Sequence, residues 1–149
     1  MVKTLILGLG NELLADDRIG ILAVREIKKR ISDKADVVES SLSGIALLDI
    51  FLGYERAIII DAIQTNRYPA GSIIELTADD LDSVIAPSPH YAGLPEMLAL
   101  AKQLQLDFPE EIKIFAIEVQ DAHTIGGELS YTVKQALPEL VRRVEESLI

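Results

Sequence analysis

The sequence predicts an α/β protein with three layers, a twisted, mainly parallel sheet carrying helices on both faces. Two observations lead there. Short apolar runs, "VKTLIL" (2–7) and "RAIIIDAI" (56–63), have the near-continuous hydrophobicity of strands buried on both faces. Between such runs lie segments of helical period, and strand and helix alternate along the chain, the pattern of a parallel or mixed sheet. At 149 residues the chain is long enough to fold as one domain, 1–149.

Each element has its own signal. "VKTLIL" is stopped by Gly8. From Asp17 the period changes: Ile19, Ala23, Ile27 and Ile31 recur every fourth residue, and Lys28, Lys29 and Arg30 occupy the last turn, where cations suit the helix dipole. Asp16 or Asp17 is the expected cap. "ADVVES" (35–40) is a second strand, and "SGIALLDIFLG" (43–53) a helix capped by Ser43 and closed near Gly53. After the third strand (56–63), "AGSIIELT" (70–77) is a strand and "TADDLDSVI" (77–85) a short helix capped by Thr77. "APSPHYAGLPE" (86–96) is a loop whose Pro95 opens the helix "EMLALAKQLQL" (96–106). "EIKIFAIEV" (111–119) is the last strand. Residues 129–149 are helical, with Ser130 as cap; Pro138 is expected to kink that helix or start a new segment, since an interior proline costs about 3 kcal/mol.

Composition narrows the function. The formal net charge is −10, a field that opposes phosphate backbones and acidic lipid, so neither nucleic acid nor membrane is an expected partner. A cationic peptide or a metal ion is compatible with it. No cysteine is present, which excludes disulfides and thiolate chemistry. The apolar N-terminal run is too short to span a membrane and lacks a signal-cleavage pattern, so a cytoplasmic protein is expected.

Sites in open α/β sheets form beyond the carboxyl ends of the strands, where strand order reverses. Those ends deliver Gly8–Asp17, Glu39 to Ser41, Asp61 and Glu118, a rim dense in carboxylates. The opening "GLGNELLADDRIG" is not a dinucleotide fingerprint: Gly8 and Gly10 fit, but Leu13 stands where the third glycine belongs, and two aspartates would repel a pyrophosphate. Asp61 ends a buried run, where a carboxylate requires a partner or a cation. His90 lies between prolines in "PSPHYAG", a stiffened loop; His123, in "QDAHTIGG", sits among residues that hold it less well. One acid from the opening loop, Asp61 and His90 make an O,O,N set suited to Zn, Ni, Co or Mn. A serine hydrolase is disfavoured, since Ser40, Ser41 and Ser43 lack a nucleophile-elbow motif. A non-catalytic module binding a metal or partner, and a nucleotide-binding domain, remain as rivals.

Taken together, "GLGNELLADDRIG", the strand ending "IIIDAI", the loop "PSPHYAGLPE" and "IEV…GGELSYTV" resemble the hydrogenase maturation endopeptidases over nearly the whole chain. The resemblance implies a peptidase that removes the C-terminal extension of a [NiFe]-hydrogenase large-subunit precursor after nickel insertion. It implies Asp17, Asp61 and His90 as the nickel-sensing and catalytic residues, with nickel carried by the precursor, and a monomer or weak homo-oligomer. Three positions depart from the family pattern: Asp17 replaces a commoner Glu, "ESSLSG" replaces a Gly-rich stretch, and Val119 replaces a proline.

Overall fold

The computed structural model of the chain describes residues 3–31, 33–82 and 94–148. Its strands are β1 (Thr4–Leu9), β2 (Asp36–Ser40), β3 (Arg56–Ile63), β4 (Ile73–Thr77) and β5 (Glu111–Glu118). They form one sheet in the order β2-β1-β3-β5-β4, parallel except for β4 at one edge. The helices are α1 (Ile19–Arg30), α2 (Leu48–Phe51), α3 (Leu94–Gln103) and α4 (Tyr131–Glu146). The expected mixed, mainly parallel sheet between helices is therefore the observed one.

Period-two alternation sorts the apolar residues into two cores. Leu5, Leu7, Leu9, Ala57, Ile59, Ile63, Ile114 and Ala116 pack under Leu47, Phe51 of α2 and Met97 of α3. On the other face Ile6, Ile58, Ile60, Phe115 and Ile117 meet Ile19, Ala23 and Ile27 of α1 and Val133, Leu140 and Val144 of α4. Burying each Leu or Ile contributes about 1.5–3 kcal/mol. Strand β3, buried from Ala57 to Ile63, is thus among the most firmly anchored elements of the sheet.

Several local expectations change. The segment from Ser43 is a 3-10 turn (Gly44–Leu47) before the single α-helical turn of α2, and Gly53 does close it, at φ 88°. Residues 78–82 are likewise 3-10, and the Thr77 N–H and hydroxyl both donate to Asp80 Oδ2, at 2.8 and 3.2 Å. Pro138 does not start a new segment: α4 runs through it, with the proline on the exposed face, where water can satisfy the carbonyl one turn back. Neither Asp16 nor Asp17 caps α1; they form their own 3-10 turn, Asp16–Arg18, ahead of it.

Strand order reverses between β1 and β3, because β2 lies on one side of β1 and β3 on the other. The 3-10 turn and the start of α1 sit on this switch point. Gly20 makes the seat possible: a Cβ there would fall deep inside the van der Waals radii of the Leu9 and Ile60 carbonyl oxygens, one on each strand. Gly10, at φ +155°, similarly lets the backbone pass beneath the Asp17 carbonyl. Gly20→Ala should therefore lift α1 off both strands and destabilise the fold by about 1–3 kcal/mol. Chemical denaturation compares the variant with wild type, and an unchanged midpoint would contradict this seating.

Candidate active site at the switch point

The two adjacent aspartates have different occupations. Asp16 is fully buried. Its Oδ1 accepts the Ser130 N–H at 2.6 Å, and its Oδ2 accepts the N–H groups of Gln120 (3.1 Å) and Asp121 (2.8 Å) and the Ser130 hydroxyl (2.6 Å). One carboxylate thereby ties the exit of β5 to the start of α4. Ser130 occupies the cap position of α4, yet its side chain makes no cap bond; the hydroxyl turns to Asp16 instead. Asp17 retains 7% exposure, and its Oδ2 accepts the Asn11 N–H at 2.9 Å. An amide of the glycine-rich turn that could have met a phosphate is engaged by the protein's own acid. The Gly10 N–H is engaged too, by Ser40 O at 3.1 Å.

The segment after β5 is built onto this turn. Ala15 and Asp16 donate their N–H groups to the carbonyls of Thr124 (2.9 Å) and Asp121 (2.7 Å). Gly126 N–H donates to Leu13 O at 2.6 Å, and Leu14 bridges Ile125. Within the segment, Asp121 accepts the Thr124 hydroxyl and the N–H groups of His123 and Thr124. Those bonds, the Thr124 hydroxyl foremost, hold the Asp121 carboxyl below its ordinary range. His123 consequently sits in a well-braced loop, contrary to the expectation from its sequence surroundings. It lines a cleft of ≈ 350 Å³ with Asp17, Ala62, Ile63, Gln64, Asn66 and Ala122.

Asp61 lies within β3, fully buried, with Oδ1 accepting the Ala62 N–H at 2.9 Å. Alternation places it with Ile59 and Ile63, on the side of the sheet covered by α2 and α3. His90 lies outside the described residues. Among the described residues no three Asp, Glu or His side chains cluster closely enough to hold an ion. Glu118 plays a structural part. Nearly fully buried, it accepts the Thr65 N–H (2.8 Å) and hydroxyl and so shapes the loop that carries Gln64 and Asn66. Glu39 is paired with Arg25 at 2.7 Å, which holds its carboxyl below the usual range. Ser40 Oγ accepts the Leu42 N–H at 3.0 Å, a turn contact. A larger hollow of ≈ 650 Å³, lined by Leu98, Phe108 and Ile112 among others, opens near the opposite ends of the strands, away from the acids.

Gln64, Asn66 and His123 are cleft residues that no motif marks. The first two follow the third strand directly, where the switch-point rule points. With Asp17 they offer amide, imidazole and carboxylate groups, the hydrogen-bonding complement of a peptide backbone.

The chain is an α/β protein without cysteine, and the cleft at its switch point is lined by carboxylate, imidazole and amide groups. The chain belongs to the hydrogenase maturation protease family: the HycI family profile, described as hydrogenase maturation protease, matches residues 21–147. It is 25% identical over 153 residues to hydrogenase 2 maturation protease of Escherichia coli K12, covering 98% of this chain and 93% of that protein. It is 26% identical over 151 residues to the hydrogenase expression/formation protein HupD of Thiocapsa roseopersicina, covering 98% and 67%. The solved structure of the [NiFe] hydrogenase maturation protease HybD from Thermococcus kodakarensis matches with a TM-score of 0.79 at 27% identity, over 99% of each chain. The HybD endopeptidase of Escherichia coli shares the fold with a TM-score of 0.85 at 23% identity, over 98% of this chain and 91% of that one. The protein is accordingly a peptidase of hydrogenase maturation.

Two outcomes follow from the acids' surroundings. Asp16→Ala strands buried donors from Gln120, Asp121 and Ser130 and should cost about 3–5 kcal/mol; denaturant titration against wild type measures the loss, and an unchanged midpoint would contradict the clasp. Asp121 has a folded pKa below its unfolded value of about 3.9. Its bonds thus favour the folded loop above that pH and are lost as pH falls through the lower, folded value. The His123 and Thr124 amide resonances should shift with a midpoint under about pH 3.9, and a midpoint at or above it would refute the clasp.

Proposed function

We propose that the chain cuts the C-terminal extension from a [NiFe]-hydrogenase large-subunit precursor once nickel has been inserted, the nickel arriving as part of the substrate. The observation that supports this best is Asp17: mostly buried, oriented by the Asn11 N–H, and still open to a cleft lined by amide and imidazole groups. In this reading Asp17, Asp61 and His90 recognise the nickel, and carboxylate and imidazole are suitable donors for that ion.

Hydrolysis then needs a base for water. Asp17 takes a proton, the water oxygen bonds to the scissile carbonyl carbon, the C–N bond breaks, and the amine departs with a proton. Asp17 suits this role better than Asp61, which is fully buried. The net charge of −10 favours approach of a cationic peptide. No helix among the described residues is long and apolar enough to cross a membrane. The reading places the enzyme in the cytoplasm, as a monomer or weak homo-oligomer whose partner is the precursor rather than nucleic acid or membrane.

The test is to incubate purified protein with nickel-loaded precursor and follow the C-terminal mass loss. Wild type should trim it, while Asp17→Asn, Asp61→Asn and His90→Ala should each be slowed at least about 100-fold. Trimming by His90→Ala at the wild-type rate would remove that residue from the set, and no mass loss with wild type would overturn the function.

A further inference from the structure

Among the described residues the exposed large apolar side chains are unevenly placed. Leu13 follows β1, Leu42 and Ile45 follow β2, Tyr68 follows β3, Ile125 follows β5, and Tyr131 opens α4. All six stand at the carboxyl ends of the parallel strands, the rim that holds Asp17. Leu52 and Leu104, which end α2 and α3, mark the opposite rim.

Leu13 and Ile125 are the most telling pair, 66% and 84% exposed. Their backbones are joined by the Gly126 N–H to Leu13 O bond, and Arg18 Nη2 donates to Gly126 O at 3.3 Å. An ordered scaffold thus holds two branched aliphatics in water, where they contribute nothing to the core. Grouped apolar exposure bordered by polar residues marks an interaction surface. The border here is charged: Glu12 and Glu39, joined by Arg25, flank Leu13, and Asp121 and Arg18 hold the clasp that carries Ile125. The apolar set belongs to loops following β2, β1, β3 and β5, four neighbouring strands about 4.8 Å apart. It therefore surrounds the cleft on several sides rather than lining one path, as a single extended tail would require.

We propose that this rim docks the folded body of the precursor, through a complementary apolar patch on the partner, and so delivers the extension to the Asp17 cleft. This inference rests on the function proposed above.

The experiment measures affinity for unprocessed, nickel-loaded precursor with three proteins: wild type, Leu13→Ser/Ile125→Ser, and Leu52→Ser/Leu104→Ser at the opposite rim. The first double variant should bind about 30-fold more weakly and the second like wild type. The Leu13/Ile125 variant should melt close to the wild-type temperature, since both replaced side chains are largely exposed. If wild type cuts the precursor and the Leu13/Ile125 variant binds it equally well, the docking surface is wrong and the function stands. If that variant instead only abolishes self-association of the protein, the occupant is a second copy and the proposal is overturned. If wild type neither binds nor cuts, the function fails, and the docking surface with it.

Discussion

The site depends on one buried carboxylate that touches no substrate. Asp16 accepts four hydrogen bonds from Gln120, Asp121 and Ser130, and through them it locks the turn after β1 to the segment between β5 and α4. A charge taken this far from water is tolerated only when its oxygens are satisfied, and here they are met almost entirely by backbone donors. The neighbouring Asp17 gains its orientation from this arrangement. With Asp16 pulled toward the end of β5, the next residue of a tight 3-10 turn is directed toward the end of β3 and its cleft.

Glycine and acid in the opening motif are therefore parts of one device. Gly20 lets α1 rest on two strands at once, Gly10 lets the turn pass under Asp17, and Asn11 supplies the amide that orients its side chain. A glycine-rich turn followed by a helix is the common anatomy of a phosphate site. Here the helix start is seated on the switch point and the donors are occupied from within, so the same anatomy serves a carboxylate.

Much of this is legible in the sequence. The double-faced burial of β1 and β3, the period of α1 and the end of α2 at Gly53 all follow from local pattern, and the carboxylates lie at the strand ends where topology predicts a site. What local pattern lacks is information about distant partners. Asp16 and Asp17 are indistinguishable until residues more than a hundred positions away are folded against them. The segment "QDAHTIGG" has the composition of a loose loop, and it is held by the Asp16 carboxylate and the backbone of the opening turn as well as by the bonds of its own Asp121. Ser43, Thr77 and Ser130 have the residue type of caps; their positions are right for helix starts, but the side chain of Ser130 has a stronger acceptor elsewhere.

The long reach of the Asp16 clasp has a consequence for biosynthesis. Its acceptor is translated early, and its donors emerge after most of the polypeptide has been made. Closing so large a loop comes late and slowly in folding. A ribosome-bound fragment ending before Ser130 lacks two of the four bonds that hold the Asp16 carboxylate, so the turn that carries Asp17 gains its full mount only once the start of α4 has joined it.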